Sequence, residues 1–357
     1  MRNTLTYEAF RQRGRFPALD GVRALAILGV LAHHTRNNPF ARLHGYRGVW
    51  IFFVLSGFLI TTLALREESS QGRLDLRAFL IRRVFRIMPL YYLVLLIFVV
   101  WVCVFGMEPN GDLLQHHFPS FLLYVSEFPI FLSNFQIPFG QSWSLGIEEK
   151  FYLAWPIVGF WLLARSPHRL PVTVALLSVT ALLTVTTQVF AQMWGSYTDI
   201  LIGCLLAQLL HDRATYPTLA RLGQPTVAWI AWGILAFATL SGGMGTQIGE
   251  CLYALLAAVA LVTAVTSERG PAALLASSWL VRIGTWSYAI YLIHPIVIDA
   301  VGRVLPPGRA EDYLTLPVML LIALPVCAWL HVHVEKPLIS VGRRWVAKRP
   351  TPVLEPT

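Results

Sequence analysis

Long apolar runs alternate with short polar segments along nearly the whole chain. A transmembrane helix needs about 20 mostly apolar residues to cross the hydrocarbon core of a bilayer. An additional candidate, 118–136, contains Glu127 and Pro129 and is followed by Pro138. The pattern predicts an all-α, polytopic membrane bundle of about ten transmembrane helices. The ten runs are 18–36, 46–66, 84–105, 142–164, 171–191, 197–211, 226–241, 248–266, 283–302 and 314–334.

The distribution of Arg and Lys gives the expected orientation. Cytoplasmic loops of membrane proteins carry an excess of these residues. Most of the 28 Arg and Lys lie in segments that a ten-span bundle with a cytoplasmic N-terminus puts inside. Counting 118–136 as a span would move the basic C-terminal segment outside, so we interpret it as an outer-face loop or a re-entrant segment. We expect both termini in the cytoplasm, one membrane domain over residues 1–346, and a disordered tail over 347–357.

Composition supports the membrane class and excludes others. Of 357 residues, 56% are hydrophobic and only 13% are charged, whereas soluble domains carry about 25% charged residues. The net charge of +9 comes from basic residues clustered between apolar runs. That clustering is a topology signal, so we expect no nucleic-acid partner. The four cysteines lie singly inside apolar runs, which argues against a disulfide framework or a thiolate metal site.

Arg23 and His34 lie eleven positions apart in the first apolar run. Eleven residues make about three helical turns, so both side chains share one helix face. Charged and titratable groups within a span are costly in lipid and should face protein or water. From the residues alone, a snorkelling Arg23 with an interfacial His34 and a functional pair both stay open.

The fourth apolar run begins with a second candidate, the acidic pair Glu148 and Glu149. In the expected topology this pair enters the membrane at about the depth of His34. A histidine beside a carboxylate can serve as an oriented general base. The alternative is an interfacial rim of Glu148 and Lys150 without chemistry.

A third candidate is the basic segment with Arg82, Arg83 and Arg86, where the spacings of three and four residues form one helical face. Guanidinium groups suit phosphate oxygens, but such segments also anchor membrane proteins to anionic lipid. Both interpretations stay open. Ser56 we interpret as a small residue of close helix packing, and Asp199 as a pathway residue or a helix N-cap.

Five stretches in order resemble the acyltransferase 3 family, bacterial membrane O-acyltransferases that modify polysaccharides and related acceptors. The resemblance covers about residues 16 to 345. It is carried by Phe16-Pro-Ala-Leu-Asp-Gly-Val-Arg23 followed by His34; by the run from Gly48 to Ile60 with Ser56-Gly57-Phe58; by Arg82-Arg83-Val-Phe-Arg86-Ile-Met-Pro89; by Ser142-Trp143-Ser144 leading to Glu148-Glu149 and Tyr152; and by Gly284 to His294 with the late Glu335-Lys-Pro337.

The resemblance implies roles for these residues. His34 would deprotonate the acceptor hydroxyl or briefly carry the acyl group, Arg23 would balance charge at the site, and Glu149 would tune His34 or hold the acceptor. The implied donor is an acyl-coenzyme A, with acetyl the expected acyl group, and no bound cofactor or metal is implied. The implied acceptor is a saccharide-containing hydroxyl compound, and the location is the bacterial inner (cytoplasmic) membrane. The expected substrate-binding residues are Arg82, Arg83, Arg86, Glu148, Trp143, Tyr288, Tyr291 and His294.

Two departures and one rival interpretation accompany this resemblance. Trp50 stands where many relatives carry an aspartate, so any role of that acid is missing here. The chain ends soon after its last predicted span, so we expect a stand-alone form without the fused esterase-like domain of some relatives, which weighs against a peptidoglycan acceptor. The rival is a transporter or lipid-linked glycan permease that uses Arg23, His34 and Glu149 as a proton relay. The lack of a visible inverted repeat weighs against it.

Overall fold

The computed structural model describes residues 4–35, 43–106, 111–133, 135–188, 190–242, 246–305 and 308–347, and the regular structure in these ranges is helical. Short π-helical stretches extend the helices that end at Val99 and Pro156, and a third joins the last two helices. The first nine helices are α1 Tyr7–Gln12, α2 Pro17–His34, α3 Gly48–Gln71, α4 Leu76–Val99, α5 Gly111–His116, α6 Phe118–Leu122, α7 Glu127–Leu132, α8 Ser142–Pro156 and α9 Arg169–Thr186. The others are α10 Ala191–His211, α11 Tyr216–Ala220, α12 Pro225–Ser241, α13 Gln247–Thr266, α14 Pro271–Leu275, α15 Ser278–Val304, α16 Arg309–Leu330 and α17 Lys336–Ala347.

The helices confirm an all-α membrane protein. They define the number of transmembrane helices less closely than the sequence prediction of ten does. Within the described ranges, seven helical segments are long and apolar enough to cross a membrane, or eight if α11 and α12, bent by 77° at their junction, form one span. These correspond to eight of the ten predicted runs. The remaining two runs are α2 and α8, whose polar side chains include Arg23 and Glu148. Ten spans and two cytoplasmic termini therefore stay predictions.

The interrupted segment 118–136 forms short helices, as its glutamate and proline indicated. Helices α6 and α7 have five and six residues, too short to cross a bilayer. The fully buried Glu127 lies 2.5 Å from Lys150 Nζ, which also donates to the Tyr124 carbonyl at 2.7 Å. This buried ion pair fastens the segment to α8.

Segments that the sequence assigned to the cytoplasm meet at one end of the bundle. Arg66 donates to the backbone carbonyls of Phe10 and Arg13. Arg169 makes two hydrogen bonds to Glu68, at 2.9 and 2.7 Å. These contacts join the N-terminal segment, the last turns of α3 and the start of α9, so the three lie on one side of the bundle.

Helices α3 and α10 approach each other most closely at two glycines. A Cβ atom on Gly57 would lie 1.8 Å from the Ile200 carbonyl oxygen, and one on Gly203 would lie 2.1 Å from that of Val54. No side chain fits at either position, as is common where membrane helices pack backbone to backbone. The contact fixes the position of Ser56, the neighbour of Gly57.

Capping residues set the starts of several helices. Pro17 occupies the first turn of α2, where its missing N–H costs nothing. The Asp75 side chain accepts a hydrogen bond from Ala78 N at 2.9 Å and begins α4. Helix α17 continues to Ala347, so the predicted tail, apart from that residue, lies outside the described residues.

Candidate active site

Helix α2 carries both Arg23 and His34, as their spacing predicted. Arg23 Nη1 donates to Asp20 Oδ1 at 3.0 Å, one turn earlier in the helix. Asp20 is buried and also accepts from Arg15 at 2.8 Å. The aspartate of the opening motif therefore holds the Arg23 guanidinium in place.

The hydrogen bonds of His34 define which of its nitrogens can accept a proton. His34 Nδ1 lies 2.8 Å from the Val30 carbonyl oxygen. Because a carbonyl oxygen only accepts, Nδ1 carries the hydrogen in this contact, and neutral His34 presents its lone pair at Nε2. His34 is exposed, so this nitrogen is accessible to a substrate.

The nearest ring to His34 on another helix is His294 of α15, with centroids 4.9 Å apart. His294 is buried, and its Nδ1 lies 2.6 Å from the Tyr291 carbonyl oxygen. Its Nε2 has no hydrogen-bond partner in the described part of the chain. The structure thus brings together two imidazole rings. In each ring, Nδ1 hydrogen-bonds to a carbonyl of its own helix, and Nε2 has no hydrogen-bond partner in the described part of the chain.

Glu148 lies in a hydrogen-bonded network that involves α3 and α8. The Ser56 hydroxyl donates to Glu148 Oε1, and the Tyr152 hydroxyl donates to Ser56 Oγ at 2.9 Å. The Arg83 guanidinium lies 5.0 Å from the Tyr152 ring centroid. Arg83 and Arg23 are both within electrostatic reach of Glu148. Helices α2, α3, α4 and α8 therefore converge on one carboxylate.

The described contacts of the acidic pair involve groups other than His34. No hydrogen bond or ion pair joins His34 to either glutamate among the described residues, and the neighbours of Glu149 include Tyr92 and Tyr124. Ser144 is the residue of α8 that bonds to Tyr291, near His294, at 2.8 Å. Glu148 follows it by one turn, about 6 Å along the helix. The expected tuning of His34 by Glu149 stays a prediction.

The three arginines of the basic segment separate into two groups. Arg82 forms an ion pair with Glu67 at 2.6 Å. Arg83 points to the Glu148 network, and Arg86 interacts electrostatically with Arg23 and Glu335. Arg86 itself is exposed, whereas Glu335 is buried. Arg83 and Arg86 thus lie near interior groups of the bundle, while Arg82 has a partner in the last turns of α3.

The remaining residues that were predicted to bind substrate lie in different parts of the bundle. Tyr291 OH donates to the Gln141 carbonyl at 3.0 Å, beside the histidine pair. Tyr288 OH donates to the Ile87 carbonyl at 2.8 Å and links α15 to α4. Trp143 is buried and packs against Phe53 and Phe131. Tyr291 thus borders the histidine site, whereas Trp143 contributes an aromatic packing contact.

Sequence reasoning missed two members of the network. Ser56 does not serve close packing as expected, since its neighbour Gly57 makes that contact and the Ser56 hydroxyl binds Glu148. Tyr152 was named at the end of the acidic motif but given no role, although it lies four residues after Glu148 and shares its helix face. That spacing was the signal available.

The family assignment follows from a comparison with known families. A family profile described as "Acyltransferase domain" matches residues 16–332. The chain belongs to the acyltransferase 3 family. The matched span includes the histidine pair, the Glu148 network and the basic segment.

Curated members of the acyltransferase 3 family include two similar bacterial proteins. The chain is 30% identical to the putative peptidoglycan O-acetyltransferase YrhL of Bacillus subtilis, over 96% of this chain and 58% of that protein. It is 31% identical to the peptidoglycan O-acetyltransferase OatA of Listeria monocytogenes, over 85% of this chain and 52% of that protein. The chain thus spans little more than half the length of these relatives. No solved structure matches it.

Proposed function

We propose that the protein moves an acetyl group from acetyl-coenzyme A, bound from the cytoplasmic side, to a hydroxyl of a saccharide-containing acceptor at the outer half of the bacterial inner membrane. The family assignment and the O-acetyltransferase relatives support acetyl transfer. The observation that carries the proposal is the exposed ring of His34, held through Nδ1 by the Val30 carbonyl and placed 4.9 Å from the ring of His294. Peptidoglycan, the acceptor in the relatives' names, falls within the proposed acceptor class.

In the proposed reaction, His34 acts as the general base. Its Nε2 takes the proton from the acceptor hydroxyl while the oxygen attacks the thioester carbonyl carbon. The carbon–sulfur bond breaks, and the leaving sulfur takes the proton from His34 to give free coenzyme A. If His34 instead carries the acetyl group transiently, the same nitrogen forms the bond to carbon.

Arg83 and Arg86 are proposed to hold the phosphates of the donor. Both guanidinium groups lie near interior groups at the end of the bundle expected on the cytoplasmic side, and guanidinium forks bind phosphate oxygens well. Glu148 is proposed as a positioning residue. Ser56 orients the Glu148 carboxylate by a hydrogen bond. The negative charge of Glu148 would then keep Arg23 and Arg83 between the phosphates of the donor and the histidine pair.

A purified-protein assay tests the proposal. The full chain in lipid nanodiscs is mixed with acetyl-coenzyme A and an N-acetylglucosamine oligosaccharide, while free thiol and acetylated sugar are measured together. We expect equal amounts of both products. Thiol release without acetylated sugar for every saccharide tried, or proton-coupled uptake of the saccharide into vesicles without acetylation, contradicts the proposal.

A further inference from the structure

A cavity of about 250 Å³ lies where α3 and α10 end, and none of its lining residues belongs to the histidine pair, the Glu148 network or the basic segment. Both helices are among the segments long and apolar enough to cross a membrane, and their last turns form part of the walls. The cavity is therefore expected at the depth of the lipid headgroups. It is lined by Arg11 of α1, Leu65, Glu68 and Ser69 of α3, Arg165 before α9, and His211 of α10.

The walls of this cavity are joined to one another by side-chain contacts. Tyr7 OH of α1 donates to the His211 carbonyl at 2.6 Å, and the Phe10 ring lies 5.1 Å from the His211 ring. On the other side, the backbone N–H of Arg165 donates to Glu68 Oε1 at 3.0 Å. Helix α1 is thus fixed to the end of α10, and the segment before α9 is fixed to the end of α3.

The cavity is accessible from the surface of the bundle. Arg11, Ser69 and Arg165 are exposed, whereas Glu68 is buried and His211 is half-buried. The three exposed residues therefore border the entrance. A ligand that enters meets two guanidinium groups before it reaches the inner wall.

The charge of the cavity is positive. Glu68, the one carboxylate among the lining residues, already accepts from two guanidinium nitrogens of Arg169, at 2.9 and 2.7 Å. Arg11 and Arg165 form no ion pair or side-chain hydrogen bond with any described residue. Arg11 also lies within electrostatic reach of a further cation, Arg66. Two guanidinium groups at the entrance thus have no counter-charge from the described part of the protein.

A purely structural role explains these two arginines only in part. Arg165 Nη2 lies 3.3 Å from the position of a Cβ on Gly72, so its guanidinium reaches the C-terminal end of α3, where a cation is favourable. Arg11 has no comparable position, because α1 has six residues and its guanidinium lies 5.9 Å from the ring of Tyr7 in the same helix. An anion between the two arginines would balance both charges.

The residues and their location favour a phosphate group as this anion. Guanidinium forks match phosphate oxygens and bind them through paired hydrogen bonds. Basic pockets between transmembrane helices bind the headgroups of anionic lipids. At headgroup depth, phosphate is also the anion that the membrane itself supplies.

We propose that this cavity binds a phosphate group between Arg11 and Arg165, at a site separate from those of the acetyl donor and the acceptor. Its position at the ends of two membrane-spanning helices gives a lipid headgroup access, and its exposed entrance admits free phosphate. Either ligand would link α1 to the segment before α9 and stabilise this end of the bundle. The expected effect is therefore on stability and does not depend on acetyl transfer.

Thermal unfolding with added ligand tests the site. The full chain in detergent micelles is titrated with dioleoyl phosphatidic acid, with dioleoylglycerol, which lacks the phosphate, and with inorganic phosphate. We expect a saturable rise in Tm with phosphatidic acid and none with dioleoylglycerol, since a ligand that binds the folded state stabilises it. A saturable rise with inorganic phosphate as well supports free phosphate as a second source.

Variants connect the rise in Tm to the cavity. Arg11→Gln combined with Arg165→Gln should raise the half-saturating concentration of phosphatidic acid about tenfold, the loss expected for hydrogen bonds to a charged group. Arg221→Gln, which removes an exposed arginine of the turn 221–223 outside the cavity, is the matched control and should respond as the unmodified chain does. The Tm without ligand verifies folding, and Arg11→Gln alone replaces the double variant if that does not fold.

Four results overturn the site. They are no rise in Tm with either phosphate ligand, an equal rise with dioleoylglycerol, an unchanged half-saturating concentration in the double variant, and the same loss in Arg221→Gln. Equilibrium dialysis with coenzyme A adds a further arm. If the double variant loses coenzyme A binding, the two arginines belong to the donor site, and the separate phosphate site is wrong.

Discussion

The histidine pair and the Glu148 network differ in how fully their polar atoms are used. Glu148 accepts from Ser56, Ser56 accepts from Tyr152, and two arginines lie within electrostatic reach. His34 and His294 each hydrogen-bond through Nδ1 to a backbone carbonyl of their own helix. Their Nε2 atoms have no hydrogen-bond partner among the described residues. A carboxylate that hydrogen bonds hold in place can stabilise nearby charges, whereas an imidazole whose Nε2 has no partner can accept and release a proton.

The largest expected effect comes from the histidine pair. His34→Ala removes the proposed base, so kcat should fall by about 10²- to 10⁴-fold. Donor binding, measured by equilibrium dialysis with coenzyme A, should not change because Arg83 and Arg86 remain. His116→Ala, which removes an exposed histidine at the end of α5, is the control. Full activity in His34→Ala, or a matching loss in the control, removes His34 from the chemistry.

The next effect concerns the inner network. Glu148→Gln keeps a group that can accept from Ser56 but removes the charge that faces Arg23 and Arg83. We expect kcat to fall about tenfold, in line with losing a charged hydrogen-bonded group. Glu149→Gln is the matched neighbour and should cost less, because no side-chain hydrogen bond holds Glu149 in the described structure. The reverse order would assign the essential carboxylate to Glu149.

The arginines allow a similar comparison within one segment. Arg83→Ala combined with Arg86→Ala should raise the KM for acetyl-coenzyme A about tenfold while kcat changes less, since both lie near interior groups and are proposed phosphate ligands. Arg82→Ala should leave that KM nearly unchanged, because Arg82 is paired with Glu67. Initial rates at varied donor concentration measure both. An equal KM in all variants would reduce the arginines to membrane anchors.

The smallest effect tests the outermost bond of the network. Tyr152→Phe removes the hydroxyl that donates to Ser56 and leaves the Arg83 contact with the ring. A neutral hydrogen bond contributes about 1 kcal/mol, so kcat should fall about fivefold. Tyr92→Phe, which removes a bond to a backbone carbonyl on the exposed side, is the control. A loss as large as that of Glu148→Gln would mean that Tyr152 acts directly on substrate.

The sequence predicts the helices and the α2 face of the site well, because periodicity and spacing within one helix are local properties. Arg23 and His34 lie on α2 as expected, and the interruption at Glu127 and Pro129 appears as short helices. Relations between helices are not encoded locally. The position of Glu148 and Glu149 relative to His34 depends on how α8 packs against α2, and spacing within one helix does not predict it.

Ser56 illustrates the same limit at the level of one side chain. A serine beside a glycine in an apolar run is typical of helix packing. Only the contact between Gly57 and Ile200 reveals that the glycine alone fills that role, which leaves Ser56 for Glu148.

The glycine contact between α3 and α10 also bears on how substrates enter. With Gly57 and Gly203 pressed backbone to backbone, these two helices cannot slide or separate without losing their closest approach. The two helices therefore form one rigid side of the bundle, with Ser56 on α3 and Asp199 on α10. Movements that admit a bulky acceptor are then expected between other helices, such as α4 and α15, which the Tyr288 hydroxyl joins through the Ile87 carbonyl.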